Sequence, residues 1–355
     1  VGVQAPLHQG LDPAFPGEQD GFLGGGVGVG YIDDLVGANV QAAGAGKEKS
    51  QAIRDVLYED FRGPKLLRNE RDFLGEVLLT IPERLDRESL GALAIDRIAF
   101  PRVDRIAADQ MARFVLDGDG VNERTWATTM GRLISDGNPL LLFSVASQLE
   151  QAGRFQAPLS EALAANARVF GDFNRRWNFP DPYDATVRTR YDFERLPLGR
   201  YVVTSVWSTA FAPLLDFRQT LRAEAIGTRQ SLAMLALYYR TNQFPTSLAA
   251  TRNRDWYPEL EADPFLDGTQ PLGYLVPERD TPGVLSMGIV TDAVNFGREF
   301  RDDEFVIFAA GTDRTGNLAR EVQNTSEEVF GADYLIWPPL FSLARSELIR
   351  RGELP

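Results

Sequence analysis

Residues 229–276 read RQSLAMLALYYRTNQFPTSLAATRNRDWYPELEADPFLDGTQPLGYLV. Their order decides the fold of the last third of the chain. Leu232, Leu235, Ala236 and Tyr239 recur at helical spacing, as do Phe217, Leu221 and Ala225 upstream. The pattern predicts one long amphipathic helix from about Asp216 to Tyr239, with Pro213 just before it. Pro245 disfavours helical backbone at Phe244, so Asn242-Gln243-Phe244-Pro245 ends the helix. The pairs Asp263-Pro264 and Asp267-Gly268 are turn chemistry that folds the chain back on itself. A strand over 271–276 follows. Phe244, Trp256, Phe265 and Tyr274 are expected in the helix–sheet core.

Working outward, Tyr274–Val276, Val284–Met287 and Phe305–Phe308 are short apolar runs bounded by Pro, Gly and Asp, and read as strands. A last amphipathic helix is expected over 339–351. Upstream, 176–215 is an aromatic and Pro-rich connector, whose β-branched run Tyr201–Trp207 suits one strand or a buried link. Residues 47–175 read as about six short helices with Gly and Pro at their joints. The first spans 51–61, with Ile53, Val56, Leu57 and Phe61 facing inward. The next ends at Pro101, and 103–116 repeats the pattern with Ile106, Met111 and Val115. Asn122 is an N-cap for a helix to Ile134, 139–151 gives another, and Pro158 with Ser160 opens one to Phe170. Residues 1–46 carry Gly and Pro at a density that favours an extended arm with apolar docking points. Residues 331–355 form a tail with the short helix. The expected class is α+β: a mainly α-helical N-terminal domain (47–175), then a long helix packed on a small antiparallel sheet (216–330).

Composition excludes more than it includes. A length of 355 residues suggests two domains plus tails. The net charge of −13, with lysine only at 47, 49 and 65, argues against nucleic acid as a partner. With no cysteine, the chain has no disulfide, no thiol nucleophile and no Cys-ligated metal. The single histidine, His8, lies in the Gly/Pro-rich arm, a poor place to hold a catalytic imidazole. No apolar run approaches the ~20 residues of a membrane span. A start at Val1 leaves room for a removed signal peptide or anchor helix.

Three stretches invite a chemical reading. Asp117-Gly118-Asp119-Gly120-Val121-Asn122 is similar to a calcium loop through Asp117, Asp119 and Asn122. Val121 and Thr128 stand where the EF-hand pattern wants ligands, and a tight turn with an Asn122 cap explains the same residues. Trp177, Asp181, Tyr183 and Asp184 combine rings on which a sugar could stack with acids that could hydrolyse it, given a carboxylate pair about 5–10 Å apart. The glycines of 24–30 fit no dinucleotide register, and no phosphate-binding Gly-Lys-Ser/Thr loop exists.

The helix Asp216–Tyr239, the Phe244-Pro245 turn, Asp263-Pro264-Phe265 with Gly268, and the strand after Pro271 together resemble the globular part of a type II secretion pseudopilin. Glu304–Asp313 is similar to the family's later strand and its small-Gly-x-Asp turn, and Leu285-Ser286-Met287-Gly288 could fill the same slot. The likeness covers about a hundred residues, and the family's N-terminal methylated helix is absent from this chain. It implies a pseudopilin-like domain in an extracytoplasmic or periplasmic, membrane-associated protein that docks on protein partners without being an enzyme. It also implies a calcium candidate at Asp313, Thr315 and Asn317.

Overall fold

The computed structural model describes residues 45–59, 61–63, 68, 71, 78, 100–135, 150, 152–178, 191–208, 211–252, 257, 259–266, 268–277, 279–281, 285–290, 295–300, 304–316, 321–323 and 333–354. The arm through residue 44, all but residue 100 of the helix expected over 86–100, all but residue 150 of that expected over 139–151, and Trp256 lie outside them. In chain order the helices are α1 (45–59 and 61–62), α2 (Phe100–Val115), α3 (Trp126–Ser135), α4 (Leu159–Asn178), α5 (Val202–Ser208), α6 (Phe211–Thr241) and α7 (Leu340–Arg351). The strands are β1 (Gly273–Leu275), β2 (Leu285–Val290), β3 (Asn295–Phe300), β4 (Val306–Ala309), β5 (Glu321–Gln323) and β6 (Tyr334–Trp337). This is an α+β fold.

The long helix is α6, and it starts five residues earlier than its apolar pattern suggests. Pro213 sits inside its first turn, where a missing backbone N–H costs no hydrogen bond. The expected one-sided stripe is absent: between Leu221 and Ala236 only Arg222 and Arg229 escape burial. The helix is enclosed because β4 and β6, the turn Leu248–Thr251, α1 and α4 all pack around it. Gly227 lets β6 approach closely, since a Cβ there would lie 2.3 Å from Ile336 Cγ2. Asn242, with φ at 55°, ends the helix in the left-handed conformation that Asn tolerates.

β1 and β6 flank β4 in an antiparallel sheet against α6, as the sequence suggests. A second sheet, ordered β3-β2-β5, is mixed: β2–β3 is antiparallel and β2–β5 parallel. The parallel pair departs from the single antiparallel sheet expected, because β5 pairs with a strand some thirty residues earlier, and no local pattern encodes that.

The Asp263-Pro264-Phe265 turn carries one buried carboxylate that closes it. Asp263 accepts the Phe265 N–H at 2.9 Å and, from across the sheet, the Ala310 N–H at 2.8 Å. Gly268, at φ 80°, completes the reversal, and Phe265 is buried beneath it. Phe244 stacks on Tyr238 with centroids 4.5 Å apart. Tyr274 donates to the Pro245 carbonyl at 2.9 Å. Those three aromatics behave as the sequence reading expects.

In the helical part, α2 packs on α4 and α5 through small residues, with Ala108, Ala112 and Ala162 buried and Ile106 exposed. The expected inward role of Ile106 is therefore wrong. The alanine face allows the closer helix approach, and one wide side chain is displaced to solvent. The run at 202–208 is helix α5 and not a strand. Tertiary packing overrides its β propensity: Val203 and Thr204 are buried, and Thr204 donates to Asn166 of α4 at 2.6 Å. Asn166 in turn donates to Asp109 of α2 at 3.0 Å. The boundaries drawn at 175/176 and 215/216 cut through elements, since α4 ends at Asn178 and α6 begins at Phe211. Phe173 stacks on Phe211 at 4.2 Å, so the helical and α+β parts share one apolar core.

Gly171 lies on the exposed face of α4 with open space around its Cβ position. Gly171→Ala is expected to raise stability by about 0.5–1 kcal/mol. A thermal melt would read this as a higher midpoint, and a lower one would refute ordinary helix geometry there.

Candidate functional site

The residues singled out by motif do not come together. Asp117 Oδ1 accepts the backbone N–H groups of Asp119 (3.0 Å) and Gly120 (3.1 Å), and Asn122 Oδ1 accepts that of Arg124 (3.1 Å). The loop is a pair of side-chain-closed turns: the Asp117 turn lies between Leu116 and Val121, which form a bridge, and the Asn122 turn follows it. Asp313 Oδ1 likewise accepts the Thr315 N–H at 3.0 Å, and Asn317 lies outside the described residues. Among the described residues no group of three or more His, Asp or Glu is placed to hold a metal ion. Trp177 is a core side chain, 2% exposed. Its ring is covered by the Arg218 guanidinium 4.7 Å from the centroid, so no sugar can stack on it as it stands. Asp181, Tyr183 and Asp184 lie outside the described residues.

What the structure does assemble is a polar groove filled by α1. Gln51, Arg54, Tyr58 and Arg62 follow one another at three- and four-residue spacing, which puts them on one side of the helix. They meet two glutamates that the fold buries. Glu224, in the middle of α6 and 1% exposed, forms an ion pair with Arg54 and accepts from Tyr334 of β6 and from Gln51. Arg54 also donates to Thr228 Oγ1 at 2.7 Å, one turn along α6. The second acid, Glu304, precedes β4. It accepts from Tyr58 (3.1 Å) and Arg298 of β3 (2.8 Å), with Arg62 at 3.3 Å. Burial and the adjacent carboxylates push the Tyr58 and Tyr334 hydroxyls upward, so both stay protonated and act as donors.

Around these sockets the contact is apolar. Ile53, Leu57 and Phe61 pack on the shared core, and Phe61 meets Trp337, Phe305, Tyr238 and Phe244. Val56, expected inward, is 63% exposed, whereas Arg54 is 2% exposed. The helix is rotated so that its charged side answers the buried acids, because an unpaired buried carboxylate costs more than an exposed valine. Asp55 reaches α7, where its Oδ1 accepts the Ser342 N–H (3.0 Å) and hydroxyl (2.8 Å). Pro339 at the N-cap position gives α7 no side-chain cap, so a residue 287 positions away supplies the bond. Asp55→Ala is expected to cost about 1 kcal/mol, read as a lower urea midpoint. An unchanged midpoint would show that water caps α7 equally well.

The sequence reading missed Arg54, Tyr58, Arg62, Glu224 and Glu304. Two signals could have found them: the Arg-x3-Tyr-x3-Arg spacing of α1, and a lone acid, Glu224, in a helix segment otherwise apolar or small.

Among the described residues three carboxyls carry raised pKa values, and the first is Asp55, where burial outweighs the two bonds from Ser342. Asp104, half-buried on α2, is pushed up to about 7 by burial. Asp263 is pushed up to about 6 by burial, against the two backbone bonds it accepts. A carboxyl raised in the folded state holds its proton where the unfolded chain has lost it. Its contribution to stability therefore falls as pH rises from about 4 to about 6. The stability difference between the parent and Asp263→Asn should decline across that window and level off above it. Urea titrations at several pH values measure this, and a difference flat from pH 4 to 7 would refute it.

Compared with protein-family models, curated proteins and solved structures, the chain matches none.

Proposed function

We propose that the protein is a non-enzymatic, extracytoplasmic interaction subunit of a bacterial envelope or membrane-associated complex, with a pseudopilin-like α+β domain. One observation carries this reading: the order long helix, Phe-Pro turn, Asp-Pro-Phe turn and strand is one packed unit, closed by Asp263 across to Ala310. The buried ionisable groups of the groove are engaged in holding α1, which fits a docking role better than a catalytic one. Among the described residues no helix is long and apolar enough to cross a membrane, so membrane association in this reading runs through partners or through segments beyond these residues. Fractionation of the native source, followed by affinity capture from the solubilised membrane fraction, tests the proposal. Co-purifying membrane-complex proteins are expected. Recovery of the protein alone, in the cytoplasm and without partners, would overturn it.

A further inference from the structure

Two neighbouring helices leave their outer faces uncovered. On α1, Ala45, Glu48, Ala52, Val56 and Glu59 recur at three- and four-residue spacing and are all exposed, with Lys49 at the margin of the stripe. On α7, Phe341, Arg345 and Ile349 recur every four residues and are exposed as well. Phe341 is 59% exposed, close to Val56 at 63%, and Leu354 follows just beyond the helix. Four of the seven large apolar side chains exposed among the described residues are therefore these, so the bare apolar surface is gathered here and not scattered. The bond from Ser342 to Asp55 joins the two helices, and Phe341 and Val56 are the chain neighbours of its two ends. The two faces are parts of one patch.

Charge on this patch is divided between the helices. Glu48 and Glu59 of α1 and Arg345 of α7 make no ion pair among the described residues. The other arginines of α7, Arg350 and Arg351, are held by Glu347 at 2.6 and 2.7 Å. α1 thus presents acids around a low surface of Ala52 and Val56, whereas α7 presents one unpaired arginine between two large apolar side chains. We propose that the patch binds the same patch of a second copy, with α7 of each copy laid across α1 of the other. A two-fold contact has to be self-complementary. This patch holds both signs of charge, and both the low apolar surface and the side chains that fill it. Phe341 and Ile349 pack on Ala52 and Val56 of the second copy. Arg345 reaches between its Glu48 and Glu59, which stand about 16 Å apart along α1. Those acids disfavour the other cover that basic and apolar residues suit, an anionic lipid surface. The net charge of −13 repels a second copy in general, so the opposite charges of the patch also select this approach over others.

The mass of the purified protein tests the contact. By analytical ultracentrifugation the parent is expected to pass from 39.4 kDa to twice that value as concentration rises. Phe341→Ser should weaken the dimer at least about tenfold, an ordinary loss for a central apolar anchor. Two charge reversals read the geometry. Arg345→Glu sets acids against acids, and Glu48→Arg/Glu59→Arg sets arginines against arginine, so each chain alone is expected to be monomeric. Mixed, the two chains restore opposite charges in both halves of the two-fold contact, and a 1:1 heterodimer is expected by native mass spectrometry. All of these positions are exposed, and circular dichroism with a parent-like melting midpoint confirms that each chain is folded. A parent that stays monomeric at every concentration, including one that sediments with phosphatidylglycerol vesicles instead, overturns the proposal. So does a dimer indifferent to Phe341→Ser and to both reversals, or a mixture of the reversed chains that fails to pair. The proposal goes beyond the subunit reading and does not rest on it. Purified protein decides self-association, whereas fractionation of the native source decides compartment and partners.

Discussion

Replacing Arg54 with alanine should lower the free energy of unfolding by about 3–5 kcal/mol, the range for removing one member of a buried ion pair. The cost arises at Glu224, a buried carboxylate that loses its arginine and keeps the weaker donors Tyr334 hydroxyl and Gln51 amide. An exposed pair makes the comparison. Arg154 and Glu150 lie 2.9 Å apart, yet both side chains are more than two-thirds exposed. Arg154→Ala is accordingly expected to move stability by no more than about 0.5 kcal/mol. Urea unfolding of the two variants separates burial from mere proximity. Adding Glu224→Gln to Arg54→Ala removes the orphaned charge and should recover more than half of the loss. Equal effects of Arg54→Ala and Arg154→Ala would show that the groove is open to water.

Gly227→Ala should be destabilising although alanine is the better helix former by about 1 kcal/mol. The added methyl would fall 2.3 Å from Ile336 Cγ2 and 2.6 Å from its Cδ1. Ile336 is fully buried in β6 and has nowhere to swing. Overpacking of this kind costs about 1–3 kcal/mol, with the upper end expected here because both sides are rigid elements. Ile336→Ala alone leaves a cavity and should cost about 2–5 kcal/mol. In the double variant the new methyl occupies part of that cavity. The two losses should therefore fall short of additive by at least about 1 kcal/mol. Simple additivity would sink the close-approach account. The contrast with Gly171→Ala is the useful control, since the same substitution in an open helix face should stabilise.

Local signals were legible in the sequence. Pro245 and Asn242 marked the end of α6, the Asp-Pro-Phe turn was found with its aromatic inside, and α7 begins directly after Pro339. β1, β2 and β4 lie where short apolar runs place them. What escaped was set by distance along the chain. The β2–β5 pairing, the bond from Asp55 to α7, and the choice of Arg54 over Val56 as the inward residue all depend on groups far away. Of the two options read for 201–207, a strand or a buried link, the strand failed because Val-Val-Thr favours a strand only when nothing else decides, and here α2 and α4 do. Both aspartate loops were legible as turns. Their carboxylates proved to be engaged by backbone N–H groups, which is what turn-forming aspartates ordinarily do.

The bond from Asp55 to Ser342 also bears on the order in which the chain is completed. α1 leaves the ribosome well before anything that can satisfy it. Glu224 emerges 170 residues after Arg54, Glu304 246 after Tyr58, and Ser342 287 after Asp55. Until then Arg54, Tyr58 and the apolar Ile53, Leu57 and Phe61 stay wet. Contacts of such separation form late and slow the whole reaction. The earliest described helix to be synthesised is thus among the last to be seated, and ribosome-bound chains ending before β6 should leave it open to proteolysis.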